Sequence, residues 1–426
     1  MKYYLFFLLL TFTACDNFAV LVAGTNTWQR YRHQSDIYHA YQILVNRGMN
    51  PQNIIVFDYG GIAEYPDNPF PGQVFNFPDG KDVYAGVIID YWGNDVTPEN
   101  FMAVLTGDAS AVTKEDERTT GKVLTSTESD HVFVYFTGQG SDDLIAFPDK
   151  YLYADELNST LQTMYEKKLY KELVFYLEAN HGDSMFKGLL PDNINIYAVA
   201  STFSNAEYCY DEAKVNDTLI GTCLGTQFSC RFMEDIDAKS DDDLNNYSFQ
   251  DQYEYLVRIA TESEVHQNGD LNVAQNSIYS FVRGQTQKFF KNIFKVIGLL
   301  FPPIEMKNTE KKTSRINNKN YRLDWFRFRA EKNKDYESEK EYYEEITEEG
   351  RTIKIFEIFD RIFELPERNY EDKIDFDCYR SVVKSYKEKC GMLIDRDFKF
   401  MTHIANFCTQ GIDPQKAHLA FEKICQ

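Results

Sequence analysis

Two apolar runs in this chain give way to polar side chains where a buried strand would stop, and such positions are where chemistry is usually done. Asp130-His-Val-Phe-Val-Tyr-Phe-Thr-Gly-Gln-Gly-Ser141 carries Gln139, and Leu173-Val-Phe-Tyr-Leu-Glu-Ala-Asn-His-Gly-Asp-Ser-Met185 carries Asn180. Both are carboxamides. A thiol with a pKa of about 8.5 becomes a nucleophile when an imidazolium lowers it toward neutrality, whereas a carboxamide has no comparably accessible anion. Gln139 can hydrogen-bond but cannot accept and return a proton near neutral pH, a task worth roughly 100- to 10,000-fold in rate. His181, Asp183 and Ser184 follow Asn180 and supply the residue types of a triad. Neighbours on one loop rarely converge on one substrate atom, because triads are defined by spatial geometry, so these three read as loop-capping and turn residues.

The elements that position these groups are short and apolar. Phe18 to Ala23, Asn53 to Phe57, His131 to Thr137, Leu173 to Ala179 and Ile194 to Ala200 are continuous runs bounded by Gly, Asp or Asn, as expected of strands buried on both faces. Helical spacing between them, as in Leu157, Leu161 and Met164, predicts crossover helices and a mostly parallel sheet, an α/β architecture. In such sheets the working residues lie just beyond the carboxyl ends of the strands. Gln139 and Asn180 both occupy that location.

With 426 residues the chain is long enough for two domains, and 43% hydrophobic with 15% aromatic residues excludes global disorder. A formal net charge of −21 argues against a nucleic-acid partner, since phosphate binding needs a cationic surface. Lys2, the apolar stretch Tyr3 to Phe12 and Thr13-Ala14-Cys15 have the layout of a secretory signal peptide. Cysteine usage fits an oxidising compartment: Cys378, Cys390, Cys408 and Cys425 crowd the C-terminus, where two disulfides would staple a small helical domain in any of three pairings. Cys223 and Cys230 are spaced to close a short loop, leaving Cys209 free and Cys15 to depart with the signal. Asn158-Ser-Thr, Asn216-Asp-Thr and Asn246-Tyr-Ser are glycosylation sequons.

Lys307 to Asn320 lacks apolar periodicity and reads as an exposed linker whose Asn308, Asn317, Asn318 and Asn320 offer processing sites. Before it, Lys288, Lys291 and Lys295 share one face of an apolar segment ending at Phe301. A basic amphipathic helix of that kind can touch a membrane surface, although packing on its own core is the simpler reading. Beyond the linker, Ile353, Phe356, Phe359 and Ile362 have helical spacing until Pro366. Asp241-Asp-Asp243 reads as a solvated loop rather than a calcium site, and no residue pattern implies a metal or other cofactor.

The strands ending at Gln139 and Asn180 resemble those that carry the catalytic histidine and cysteine of the legumain (asparaginyl endopeptidase) family. Val22 to Tyr41, Asp67-Asn-Pro-Phe-Pro-Gly72, Asp82 to Val87, Asp95 to Asp108 and Leu190 to Ala198 are similar to other legumain segments in the same order. Between the signal peptide over 1–15 and the amphipathic segment and linker over 286–325, the resemblance implies a caspase-like domain over 16–285, and beyond the linker an all-α prodomain-like domain over 326–426. It also implies the pairings Cys378 with Cys408 and Cys390 with Cys425. In the family a cysteine attacks the carbonyl after asparagine, with a histidine and a supporting asparagine. Here those positions hold Asn180, Gln139 and Arg30. Of the arginine, glutamate and aspartate that cradle the substrate asparagine, Arg32 and Glu178 match two, Thr226 stands for the aspartate, and His33 matches a pocket neighbour.

The resulting expectation is a pseudoprotease of the secretory pathway, secreted or in a lysosomal or vacuolar lumen, that binds a peptide or protein such as an active legumain or its inhibitors. The rival is an active hydrolase or transpeptidase using non-standard residues among His181, Ser184 and Cys209. A structural or storage glycoprotein is the third reading, in which Arg32 and Glu178 would be a buried ion pair and nothing more.

Overall fold

The structure, a computed structural model, describes residues 15–284, 316–317, 321–370, 372–391 and 397–425. Residues 1–14 of the expected signal peptide, the basic segment from Lys288 to Phe301, and Asn308, Asn318 and Asn320 lie outside the described residues.

Six parallel strands form the main sheet: β1 (Asn17–Ala23), β2 (Ile54–Asp58), β3 (Tyr91–Trp92), β4 (His131–Thr137), β5 (Glu172–Glu178) and β6 (Ile196–Ser201). Further strands are β7 (Asn205–Glu207), β8 (Gly225–Thr226), β9 (Val265–Gly269) and β10 (Ile316–Asn317). β9 closes the main sheet antiparallel to β6, giving the order β9-β6-β5-β4-β1-β2-β3. Each run is apolar throughout because both faces are covered. Val20, Val134, Phe175 and Ala198 enter one core, while Leu21, Tyr135, Tyr176 and Val199 enter the other.

The first core lies under α2 (Pro98–Leu105) and α3 (Ala154–Glu166), and the second under α1 (Tyr31–Asn46), α4 (Gln227–Asp237) and α6 (Phe249–Ile259). The α3 stripe of Leu157, Leu161 and Met164 is fully buried, each side chain stabilising by roughly 1.5–3 kcal/mol. The mostly parallel α/β sheet predicted from the runs is the observed one.

The C-terminal region is helical: α7 (Tyr321–Asn333), α8 (Tyr336–Phe363), α9 (Phe376–Cys390), α10 (Met401–Phe407) and α11 (Pro414–Ile424). Disulfides join Cys378 to Cys408 and Cys390 to Cys425. Its core takes Phe356 and Phe359 but leaves Ile353 and Ile362 at 39% and 51% exposed, so half of the apolar stripe read on α8 faces outward. That core continues onto the α/β unit through Leu144, Ala146 and Tyr153. The Tyr379 hydroxyl donates to the Asp142 carbonyl at 3.0 Å, and Arg380 pairs with Asp155 at 2.9 Å.

Several expectations are corrected. Cys209 pairs with Cys223, and Cys230 is a buried free thiol. The hairpin-like return of 209–223 juxtaposes the first two, whereas Cys230 turns into the core on α4. Asp241 to Asp243 open a short helix, α5 (Asp241–Asn245), capped by Ser240 and the Asp243 side chain, where acidic residues suit the helix N-terminus. Asn158 is buried in α3 with its amide nitrogen donating to the Ala154 and Met185 carbonyls at 2.7 Å, which leaves no accessible glycan acceptor there. Asn216 and Asn246 are exposed. Part of the linker is ordered as β10, paired antiparallel with β7 through Asn205 with Asn317 and Ala206 with Ile316.

Candidate functional site

β4 and β5 lie side by side in parallel register, Thr137 opposite Glu178, so the loops that follow them meet at one end of the sheet. Gln139 and Asn180 are thereby neighbours of the same strand ends. Both are held by the backbone around them. Gln139 is 1% exposed, its carbonyl accepts from the Ala146 amide at 2.9 Å, and its side-chain Nε2 has no hydrogen-bond partner. The Asn180 Oδ1 accepts from the Ser204 amide at 3.0 Å. Arg30 ends the short 3-10 turn Trp28–Arg30 that leads into α1, and is also buried.

Behind these residues is a second group, positioned by the first turn of α1 and the end of β5. Arg32, His33, Glu178, Ser204 and Thr226 are all fully buried. Arg32 Nη1 donates to the Gln29 carbonyl at 3.1 Å. His33 Nδ1 lies 2.8 Å from the Thr25 hydroxyl, and burial together with Arg32 and Arg30 holds its pKa well below the ordinary value, so the ring is neutral. Burial pushes Glu178 up to about 8, against the pull of the Ser204 and Thr226 hydroxyls and of Arg32. Neither Glu178 oxygen makes a hydrogen bond of normal geometry, nor does the Ser204 hydroxyl. Thr226 turns toward α1: its amide and hydroxyl donate to Asp36 Oδ2 at 3.1 and 2.8 Å. Burial raises Asp36 to about 7, and Asn76 donates to its other oxygen at 2.8 Å.

A cleft of about 210 Å³ opens in front, lined by Thr25, Thr27, Arg30, Gln139, Asp149 and Arg322 among others. β7, which pairs with β8 at Ala206 and Thr226, carries β10 on its other edge, so the chain's own linker adds a strand one position removed from Thr226.

The substitute nucleophiles weighed from sequence are placed elsewhere. Ser184 donates its hydroxyl to the His181 carbonyl at 2.7 Å and accepts from the Asp143 amide at 2.8 Å, a turn role that keeps it off the imidazole. Asp183 accepts from Asn268 at 2.8 Å. Cys209 is in a disulfide. Burial raises the Cys230 thiol well above its ordinary pKa, with Asp36 adding to the effect, so it stays protonated. Among the described residues no group of His, Cys, Asp and Glu is arranged to hold a metal ion, and no helix is long and apolar enough to cross a membrane.

The peptidase C13 family model matches residues 17–289, and the legumain prodomain model matches residues 367–425. The chain belongs to the peptidase C13 (legumain) family. A vacuolar-processing enzyme of Vicia sativa is 35% identical over 96% of this chain and 85% of its own length. Mouse legumain is 33% identical over 96% of this chain and 92% of its own. Human legumain is 42% identical over a shorter match, 62% of this chain and 59% of its own. A caspase-1 from Spodoptera frugiperda aligns with a TM-score of 0.34 at 9% identity, covering 64% of this chain and 92% of that one; that likeness is too weak to carry an argument.

Two features of this legumain-family site were not read from the sequence. His181 Nδ1 pairs with the fully buried Asp142 at 2.6 Å, its backbone in the left-handed region at φ 57°, and its ring faces Tyr370 at 6.5 Å between centroids. The signal was there in Ser141-Asp-Asp143, a charged pair directly after an apolar strand. The Asp36, Asn76 and Thr226 network is the other; its members are too far apart in sequence to suggest contact.

Proposed function

We propose that this legumain-family protein is a pseudoprotease that binds peptide without cutting it. The observation that carries the reading is Asn180, which stands where the family places its cysteine and whose Oδ1 is engaged by the Ser204 amide. Gln139 and Arg30 at the other two family positions supply hydrogen bonds and charge but no general base. What remains is recognition: Arg32, Glu178 and His33 form a buried polar cluster in which both carboxylate oxygens lack a hydrogen bond, the situation in which a ligand's amide is the missing partner. Secretion or a lysosomal or vacuolar lumen suits the signal-like N-terminus, the disulfides and relatives named as vacuolar-processing enzymes. Partners of matching chemistry are asparagine-bearing peptides, including segments of an active legumain or its inhibitors.

One observation favours a second reading. The His181 and Asp142 pair is an oriented imidazole near the strand ends, which a hydrolase working through water would need. Incubation of the purified protein with an asparagine-containing fluorogenic peptide between about pH 4 and 7 separates the two. No release is expected. Turnover that disappears in His181→Ala would replace the binding reading with an enzyme.

A further inference from the structure

We propose that the outer face of α8 is the seat of the chain's own basic segment, Lys288 to Phe301, which docks there through opposite charge and aromatic contact. That surface belongs to the C-terminal helical region and is separate from the peptide pocket proposed above.

One side of α8 is covered by α7, where Arg322 pairs with Glu345 at 2.9 Å and Arg329 with Glu341 at 2.8 Å. Further along, Phe356 and Phe359 enter the helical core. Another side, where Tyr336, Tyr343 and Thr347 recur at helical spacing, borders an open groove of about 680 Å³ together with Glu339 and Glu344. Tyr336 is 79% and Tyr343 64% exposed, and Ile346 nearby is exposed too. Neighbouring apolar side chains left in water and rimmed by charge mark a docking surface.

The face is also strongly acidic. From Glu337 to Glu349 the sequence Glu-Ser-Glu-Lys-Glu-Tyr-Tyr-Glu-Glu-Ile-Thr-Glu-Glu has Lys340 as its only base. Lys340 is shared between Glu337 at 3.7 Å and Glu344 at 3.8 Å, long exposed pairs that contribute little. Two such faces would repel each other, which argues against a second copy as the occupant. An anionic lipid surface is disfavoured for the same reason.

An occupant that fits must be cationic and apolar at once, and the chain supplies one. Lys288, Lys291 and Lys295 are interleaved with Phe289, Phe290, Ile293 and Phe294, and no acid lies between Gln285 and Ile304. These lysines match Glu339 and Glu344 in charge and suit the faces of the Tyr336 and Tyr343 rings, and the phenylalanines suit the same rings as aromatic partners. The tether allows it. The chain leaves the α/β unit at Gly284, whose amide donates to the Arg47 carbonyl at 3.2 Å, and by Arg322 it is already alongside α8. Residues 302–321 extend to roughly 65–70 Å at most, more than the roughly 42 Å length of α8. A tethered segment also meets its site at an effective concentration that a free partner rarely matches.

The test places the photo-crosslinker p-benzoylphenylalanine at Tyr343 of the full chain, an exposed side chain, and maps the products by mass spectrometry. Equal parts of isotope-labelled and unlabelled protein tell one copy from two. A cross-link from position 343 to residues 288–301 of the same copy is expected. Lys288→Glu, Lys291→Glu and Lys295→Glu together should lower its yield roughly three- to tenfold, the combined effect of several exposed ion pairs. Adding Glu339→Lys and Glu344→Lys should restore most of it. Cross-links only between copies would make the face a self-association surface and overturn the proposal. So would the absence of any cross-link to residues 288–301, or a yield that the lysine changes leave unaltered. The same probe at Tyr336 decides the matter if the Tyr343 variant does not fold.

Discussion

At the carboxyl ends of β4 and β5, Gln139 and Asn180 offer no acid, base or nucleophile. A short distance behind them, Arg32, His33 and Glu178 stay fully buried and polar. Burying polar and ionisable side chains is expensive unless they are paired or used, so the second region is the harder of the two to maintain. If ligand recognition had been abandoned along with chemistry, the pocket is where apolar replacements would bring relief. On the binding reading proposed above the two regions serve separate ends, and that contrast can be broken experimentally.

The largest expected effect is on the pocket. Arg32→Ala should destabilise the fold by about 3–5 kcal/mol, because it empties a fully buried site and leaves the Gln29 carbonyl without its donor, as measured by urea unfolding. The double change Arg32→Met with Glu178→Leu is expected to recover most of that stability while abolishing peptide binding. Recovery of both would make the pair purely structural. Next, removing the staple with Cys378→Ser and Cys408→Ser should cost about 2–5 kcal/mol, and should do so without changing the affinity for an asparagine peptide if the binding region is confined to the α/β unit.

A pH effect of a few kcal/mol follows from the buried acids. Glu178 is raised to about 8 from an ordinary 4.5, and Asp36 to about 7 from 3.8, both by burial. Between the two values the folded chain keeps a proton that the unfolded chain has lost, so stability is greatest on the acid side and falls as pH rises from about 4 to about 8. Glu178→Gln should flatten the upper part of that decline, and an unchanged slope would remove Glu178 as its source. The smallest effect concerns the surface: glycan mapping of secreted protein should find Asn216 or Asn246 occupied and Asn158 bare, and Asn216→Gln should alter stability by no more than about 0.5 kcal/mol.

Much of the fold was legible because it is written in contiguous residues. The runs from His131 to Thr137 and around Leu173 to Ala179 are apolar at every position, which only strands covered on both faces require, and they fix where Gln139 and Asn180 sit. The pairing of Cys378 with Cys408 came from likeness to relatives and not from spacing. Several misreadings involve partners distant in the chain. Cys209 meets Cys223 because the intervening loop doubles back, a geometry that spacing does not encode. Asn158 matches a sequon yet is drawn into the core by its neighbours Leu157 and Leu161. Asp36, Asn76 and Thr226 converge only through tertiary packing, so the network that turns Thr226 toward α1 has no local signature. The outward half of the α8 stripe shows the same limit, since periodicity marks a face but not whether anything covers it.

The most direct measurement is hydrolysis of an asparagine-containing fluorogenic peptide at acidic pH by the combined variant Arg30→Asn, Gln139→His, Asn180→Cys, set beside the wild type, with and without the C-terminal helical region. The account predicts a silent wild type and a variant that cleaves after asparagine, because Arg32, His33 and Glu178 of the family pocket are kept and the reacting groups are what is missing. A wild type that cleaves, or a folded variant that neither cleaves nor binds the peptide, would contradict it.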